Sequence, residues 1–210
     1  MFSNVTPMTK RKIFNVEGVS YTVVSTIESG GGGTVFKVSS SEDGRDYALK
    51  LIAKGKGSRT RDARFRKEIE FGLTSSHSNV LKIRSSTEDD ASFSYVMDLF
   101  PGSLRNVIAD ETDFEDLLDY LSQLCEGLAY IHKEGIVHRD IKPENILVDP
   151  LNRRLVIADF GISHFKNSTL TKHGDLLANR NYQAPEQMAT RDARNIGQPA
   201  DVFALGLIMS

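Results

Sequence analysis

The chain alternates apolar and polar residues with a period of two between residues 21 and 52, and this alternation predicts β-strands. It runs through residues 21–27, 34–39 and 45–52, where β-branched side chains are frequent. Asp43-Gly44 supplies a hairpin turn between the last two segments, and a glycine cluster separates the first two. The sequence therefore predicts an antiparallel sheet near the start of the chain.

Helical spacing follows further along the chain. Residues 63–74 place three apolar side chains four positions apart, which predicts a helix with one buried stripe: Phe65, Ile69 and Leu73. Residues 114–132 repeat apolar positions at helical spacing behind Asp113, a candidate N-cap. Residues 80–83 and 93–97 are short apolar runs that favour strands. A strand-rich part followed by a helical part predicts an α+β fold with two lobes that meet near residues 99–103.

The composition excludes several classes of protein. The chain has 210 residues, of which 40% are hydrophobic and 26% charged, as in soluble globular proteins. A net charge of -2 gives no reason to expect binding to nucleic acid. The longest apolar run, residues 202–209, is far shorter than the roughly 20 residues that cross a bilayer, so no membrane insertion is expected. Cys125 is the single cysteine, which excludes an internal disulfide and favours the reducing cytoplasm.

Two polar motifs stand out in the second half of the chain. His138-Arg139-Asp140-Ile141-Lys142-Pro143-Glu144-Asn145 follows the long helical segment, and Asp159-Phe160-Gly161 comes after it. These motifs resemble the catalytic-loop and metal-binding signatures of the protein kinase family. Further matches occur in the order that the family has them: the glycine loop 30–35, Ala48-Leu49-Lys50, Glu68, Ala184-Pro185-Glu186 and Asp201. The resemblance covers residues 19–210.

The resemblance implies a bilobal, protein kinase-like fold. Residues 1–18 would be an N-terminal extension, and residues 19–98 would form an N-lobe of one antiparallel sheet and one helix. Residues 99–210 would form a mostly helical C-lobe that is incomplete, because the last helices of the family are absent. The chain is therefore expected to be a fragment of a longer kinase. Lys142 is typical of the serine/threonine branch, and residues 180–187 are similar to eukaryotic-like kinases of bacteria.

The same resemblance implies ATP and Mg²⁺ as cofactors and a protein as the substrate. Phosphoryl transfer needs cations and carboxylates placed around one point, because charge on the γ-phosphate must be neutralised. Asp140 would orient the substrate hydroxyl and accept its proton, and Lys142 would balance charge on the transferred group. Asn145 and Asp159 would supply the hard oxygen ligands that magnesium prefers.

Nucleotide binding falls mainly on the N-lobe. Lys50 would bind the α- and β-phosphates, held in place by an ion pair with Glu68. The other residues that the resemblance assigns to the nucleotide site are Ile27, Gly30, Gly33, Val35, Ala48, Met97, Asp98, Phe100 and Leu147. The family's first loop glycine is replaced by Glu28. A negative charge at this position predicts weaker binding of ATP.

Two further features leave alternatives open. Gly72 lies one turn after Glu68, where the family has a bulky apolar residue, and glycine costs about 1 kcal/mol in a helix interior. Either the helix is loosely held and depends on a docking partner, or Leu73 fills the gap. Thr169 or Thr171 is either an activating phosphosite or part of an ordinary polar loop. Arg139, with Arg64 or Arg66, would bind such a phosphate.

Two rival functions follow from these departures. A nucleotide-binding or scaffolding module with weak or no catalysis is motivated by Glu28, Gly72 and the missing helices. An inert truncation product is the third interpretation. The complete set of catalytic residues favours an ATP-dependent protein serine/threonine kinase.

Overall fold

The computed structural model describes residues 12–55, 59–109, 113–160, 181–189 and 196–210. A six-stranded antiparallel sheet comes first along the chain, with the spatial strand order β1-β2-β3-β4-β6-β5. Its strands are β1 (Ile13–Val16), β2 (Val19–Gly30), β3 (Gly33–Ser40), β4 (Asp46–Ala53), β5 (Ile83–Glu88) and β6 (Ser92–Asp98). Helix α1 (Arg59–Thr74) lies between β4 and β5 in sequence and contacts β5.

The second part of the chain is mainly helical around a small sheet. Its elements are β7 (Gly102–Ser103), α2 (Leu104–Ala109), α3 (Phe114–Lys133), a 3₁₀ turn (Pro143–Asn145), β8 (Ile146–Asp149), β9 (Arg154–Ile157), α4 (Pro185–Ala189) and α5 (Gln198–Ile208). Strands β7, β8 and β9 form an antiparallel three-stranded sheet. The α+β fold predicted from the sequence is thereby confirmed.

Each face of the large sheet covers its own apolar core, because successive side chains of a strand point to opposite faces. The outer core contains Val16, Tyr21, Val38, Leu49 and Val96. The inner core joins the sheet to α1 and to β9, with these buried residues: Ala48, Ile52, Phe65, Ile69, Leu81, Ile83, Phe93, Tyr95, Met97, Val156 and Ala158. The helical part has a third core centred on α3.

Backbone hydrogen bonds fix β9 against the segment that follows α1. The Leu81 N–H donates to the Ile157 carbonyl at 2.9 Å, and the Ile157 N–H donates to the Asn79 carbonyl at 2.9 Å. The buried Asn79 side chain donates to the Leu155 carbonyl at 2.9 Å. These bonds hold the catalytic-loop side of the molecule beside the sheet.

Most predicted elements are confirmed, and the differences concern strands β1 and β5. The helix expected over 114–132 is Phe114–Lys133, and Asp113 caps it by accepting from the Glu115 N–H at 3.4 Å. The strand expected over 80–83 is wrong, since Val80 makes only an isolated bridge and β5 begins at Ile83. Strand β1 lies within residues 1–18, which were expected to be an N-terminal extension. It pairs with β2 through a tight hairpin, in which Glu17 and Gly18 both adopt positive φ (49° and 84°).

Candidate active site

The catalytic-loop motif folds into a compact polar network around Asp140. Asn145 Nδ2 donates both to the Asp140 carbonyl and to Asp140 Oδ2, each at 2.8 Å. Lys142 Nζ lies 3.2 Å from the same Oδ2. Both donors thus bind the same oxygen of the Asp140 carboxylate, and the structure brings three of the predicted site residues into one cluster.

Asn145 and Asp159 form the candidate metal pair. The Ala158 N–H donates to the Asn145 carbonyl at 2.9 Å, which places the residue before Asp159 against the catalytic loop. Because Asn145 Nδ2 is directed to Asp140, the amide oxygen of Asn145 is directed away from it. One amide oxygen and one carboxylate fit Mg²⁺, which usually keeps waters and substrate oxygens as its other ligands. Among the described residues no group of three or more His, Cys, Asp or Glu could hold a metal ion by itself.

Lys50 forms an ion pair with Asp159 across the cleft. The Lys50 side chain lies in the middle of β4 and is only 7% exposed, whereas the Asp159 side chain is 42% exposed. Asp159 has a left-handed backbone conformation, with φ 56°. Burial lowers the pKa of Lys50, but the neighbouring Asp159 outweighs this effect and raises the pKa above its ordinary value, so Lys50 keeps its charge.

The expected ion pair between Lys50 and Glu68 is not formed, because the described residues pair Lys50 with Asp159 instead. Glu68 is buried on α1 and lies close enough to interact electrostatically with Lys50. Burial raises the pKa of Glu68 to about 8, although the Lys50 charge lowers it, and the Asp159 charge adds to the increase. Burial thus disfavours the charged form of Glu68, and the structure gives Asp159 to the ammonium as its partner.

Five of the predicted nucleotide-binding residues share one apolar surface on the inner face of the sheet. Ala48 and Met97 are buried and directly opposite each other on β4 and β6. Val35, Phe100 and Leu147 pack against the same core while remaining partly exposed. A flat apolar surface of this kind, beside the Lys50 ammonium, suits the base of a nucleotide.

Ile27 and Asp98 are placed differently from the other predicted nucleotide-binding residues. Ile27 is 53% exposed and falls at a register shift between β2 and β3. The Asp98 carboxylate accepts from Arg84 Nε at 2.6 Å and lies 3.7 Å from Arg154 NH1. The Asp98 side chain thus pairs with two arginines, and any contact of this residue with a nucleotide would be made by its backbone.

The glycine cluster forms the tip of the β2–β3 hairpin. Gly30 pairs with Gly33, and Glu28 lies exposed opposite Val35. Gly33 has φ +121°, and a Cβ at this position would lie 2.5 Å from the Leu51 carbonyl oxygen. The close approach of two backbones therefore requires glycine at position 33.

His138 is a structural residue beneath the catalytic loop. It is fully buried, and its Nδ1 accepts from the Asp140 N–H at 3.3 Å, so Nε2 donates to the Ala158 carbonyl at 3.0 Å. Burial lowers the pKa of His138, which keeps this tautomer neutral. The centroid of its ring lies 5.5 Å from that of Phe160.

The space beside Gly72 is filled by Ile83. A Cβ on Gly72 would lie 2.6 Å from Cδ1 and Cγ1 of Ile83, so the Ile83 side chain occupies this space. The neighbouring Phe71 packs edge-on against Phe160 at 5.0 Å between ring centroids. Helix α1 therefore contacts the catalytic region through Phe71, and the absent side chain at position 72 leaves no gap.

Two side chains to which no motif assigned a role, Gln187 and Arg105, connect the catalytic loop to α4 and to the segment before it. Gln187 accepts from the Ala184 N–H at 3.0 Å and donates to the Arg139 carbonyl at 2.9 Å. Arg105 donates to Glu144 at 2.9 Å and to the Tyr182 hydroxyl at 3.1 Å. These contacts join residues distant in sequence, so no local pattern reveals them.

The predicted phosphate site is only partly described. Arg139 is half-buried and donates through Nε to the Ile196 carbonyl at 3.3 Å, whereas Arg66 is engaged by both carboxylate oxygens of Glu88. Thr169, Thr171 and Gly161 lie outside the described residues, as does the Arg64 side chain. The described part of the chain also contains no helix long and apolar enough to cross a membrane.

Comparison with known proteins gives consistent matches. A model of the protein kinase domain matches residues 21–210. The chain is 34% identical over 173 residues to the probable serine/threonine-protein kinase fhkC of Dictyostelium discoideum, covering 80% of this chain and 29% of that protein. It is 29% identical to the serine/threonine-protein kinase cds1 of Schizosaccharomyces pombe, covering 95% of this chain and 46% of that protein.

A bacterial protein matches to a similar extent. The probable serine/threonine-protein kinase pknA2 of Bifidobacterium longum is 30% identical over 201 residues, covering 92% of this chain and 26% of that protein. The chain thus spans less than half the length of these three curated relatives.

Proposed function

The chain belongs to the protein kinase family, and on this premise we propose that it transfers the γ-phosphate of ATP to serine or threonine hydroxyls of protein substrates. The observation that carries the proposal is the Asp140 network, in which Asn145 and Lys142 hold one carboxylate oxygen near the Lys50–Asp159 pair. The serine/threonine assignment is supported by Lys142 in the catalytic loop and by the names of the relatives.

Asp140 and Lys142 would act on the substrate hydroxyl. The fixed carboxylate of Asp140 orients the hydroxyl in line and takes its proton as the new bond to phosphorus forms. Lys142, 3.2 Å from Asp140 Oδ2, places positive charge next to the transferred group. The neutral His138 holds the backbone N–H of Asp140 and takes no proton itself.

Lys50 and the inner apolar surface would hold the nucleotide. The base lies between Val35, Ala48 and Leu147, and the Lys50 ammonium binds the α- and β-phosphates. Asn145 and Asp159 would hold Mg²⁺, which when bound neutralises charge on the β- and γ-phosphates. With Asp159 holding the ion, the buried Glu68 would be the carboxyl next to the Lys50 ammonium.

Phosphorylation at Thr169 or Thr171 remains part of this proposal. Arg139 immediately precedes the catalytic Asp140, so a phosphate bound by its guanidinium would act directly on the catalytic loop. Arg66 does not serve this purpose, because Glu88 holds it. Replacing both threonines with alanine should lower the specific activity. Unchanged activity would contradict activation by phosphorylation at these residues. A cytoplasmic location is likewise proposed, on the single cysteine.

Transfer of labelled γ-phosphate to a generic basic protein tests the function. Wild-type protein should label serine and threonine of the substrate, and Asp140→Asn should abolish the signal. Asp149→Asn is the matched control, since within the described part of the chain this carboxylate accepts hydrogen bonds from Leu151 and Asn152 in a surface turn. The second candidate, a nucleotide-binding module, is favoured by Glu28 in the glycine loop. Thermal stabilisation by ATP and Mg²⁺ without transfer by wild-type protein would support it.

A further inference from the structure

A buried tyrosine lies in the centre of the candidate site and has no part in the function described so far. Tyr95 stands in the middle of β6, surrounded by apolar residues of the inner core, and is 2% exposed. A phenol that is almost completely buried needs a partner for its hydroxyl. The groups around it therefore indicate what it does.

The sheet register places Tyr95 directly opposite Lys50. The two residues are partners in the antiparallel pairing of β4 with β6, so their side chains lie on the same face of the sheet. The Cβ atoms of such partners are about 5 Å apart. Both side chains are buried on this face, and burial raises the pKa of Tyr95, so a neutral phenol lies beside the ammonium in the same layer of the core.

The Lys50 ammonium needs an acceptor besides its ion-pair partner. A buried ammonium is stable only when its donors are satisfied. Its ion pair is with Asp159, which belongs to the candidate metal pair, and the described residues contain no ion pair between Lys50 and Glu68. Tyr95 lies on the rigid centre of the sheet, so its hydroxyl is an acceptor that does not move when Asp159 changes partner.

We propose that the hydroxyl of Tyr95 is a positioning group that holds the Lys50 ammonium in place for the nucleotide phosphates. The role in nucleotide binding rests on the proposed kinase function, whereas the contact itself does not. Glu68 then serves as a neighbouring carboxyl within the same buried cluster, and Tyr95 supplies the fixed contact. Tyr95 acts through Lys50 and touches no substrate.

Tyr95→Phe tests the role, because it removes the hydroxyl and keeps the ring. The KM for ATP should rise on the order of tenfold, which corresponds to one hydrogen bond to a charged group. The kcat should change by less than the KM for ATP, and the KM for the protein substrate should stay constant. Tyr21→Phe is the matched control, since Tyr21 is a buried tyrosine of the same sheet in the outer core. It should leave both KM values unchanged.

The NMR signal of the Lys50 side-chain ammonium provides a readout that needs no activity. Tyr95→Phe should shift the Lys50 signal, and Tyr21→Phe should not. In the reciprocal variant, Lys50→Met, the phenolic carbon of Tyr95 should shift more than that of any other tyrosine. Should Tyr95→Phe fail to fold, this reciprocal shift decides the question.

The outcomes separate the two proposals. If wild-type protein transfers no phosphate, the kinase proposal fails, and the NMR signals alone support or overturn the contact. If wild-type protein is active, an unchanged KM for ATP in Tyr95→Phe overturns the positioning role. Unchanged signals in both NMR variants overturn the contact itself.

Discussion

The carboxylate of Asp201 accepts the backbone N–H of Arg139 at 2.6 Å, across 62 positions of sequence. The same carboxylate accepts the His138 N–H at 2.8 Å and lies 2.9 Å from His132 Nε2. Asp201 is 1% exposed at the start of α5, and Arg139 has a left-handed conformation with φ 65°. One buried carboxylate thus holds the backbone bend that immediately precedes Asp140.

Asp201→Asn should destabilise the fold and lower transfer activity. The two carboxylate oxygens of Asp201 accept the N–H groups of His138 and Arg139, whereas an asparagine side chain has only one acceptor oxygen. A loss of about 2 to 4 kcal/mol in the free energy of unfolding is expected from the buried donors left unsatisfied. Urea unfolding and initial rates measure the two effects. Asp89→Asn is the control, since Asp89 also accepts two backbone N–H groups but in an exposed turn, and it should cost less than about 1 kcal/mol.

Gly33→Ala should destabilise the sheet by at least about 2 kcal/mol, because the new Cβ meets the Leu51 carbonyl and the positive φ disfavours alanine. Gly31→Ala is the matched change in the same hairpin tip, where a Cβ meets no atom within 4 Å. Its effect should stay within about 0.5 kcal/mol. Equal urea midpoints for the two variants would contradict the described path of the hairpin.

Glu68 should make the free energy of unfolding fall as pH rises from about 4.5 to about 8, and the fall should be clearest above about pH 6.5, because below that pH the buried His138, whose pKa is lowered, acts in the opposite direction. The pKa of Glu68 is raised from 4.5 to about 8, so in this window the folded protein keeps a proton that the unfolded chain releases. The contribution is about 1.4 kcal/mol per pH unit, and it is constant below and above the window. Burial also raises the pKa of the facing Tyr95, and Lys50 stays charged, so neither titrates there.

Glu68→Gln should remove this slope and stabilise the protein most clearly near pH 8. Urea unfolding between pH 5 and pH 9 measures it. Glu70→Gln is the control, because Glu70 is an exposed carboxylate on the same helix. A slope that persists in Glu68→Gln would assign the pH dependence to other groups.

Glu28→Gln should increase the affinity for ATP about two- to fivefold, because it removes a negative charge from the edge of the nucleotide site. Since Glu28 is exposed, the gain should shrink as salt is added. Calorimetry at low and high ionic strength measures both affinities. Glu42→Gln, which removes an exposed charge from the opposite end of the β3–β4 hairpin, should change neither.

Motifs with fixed spacing allowed the catalytic cluster to be predicted from the sequence. Asp140, Lys142 and Asn145 lie within one loop, so their contacts follow from local geometry. Periodicity predicted α3 almost to the residue, because its apolar stripe is strong and Asp113 caps it. Strands β1 and β5 could not be predicted equally well, since β1 has only four residues and β5 carries polar residues without clear alternation.

The partner of Lys50 could not be predicted from motifs. Whether Lys50 pairs with Glu68 or with Asp159 depends on how much each carboxylate is desolvated, and burial is a property of the assembled core. The position of Tyr95 could not be predicted either. Only the register of β4 against β6 places it opposite Lys50. The filling of the Gly72 site by Ile83 likewise depends on how α1 packs on β5.

The rate of γ-phosphate transfer by wild-type protein and by Asp140→Asn, at saturating ATP and Mg²⁺, tests the central claim most directly. Removal of a general base lowers a rate by about 10²- to 10⁴-fold. We therefore expect the variant to be at least about 100-fold slower, while it keeps the urea midpoint of Asp149→Asn. Equal transfer rates for wild-type protein and Asp140→Asn would contradict the assignment of catalysis to this loop.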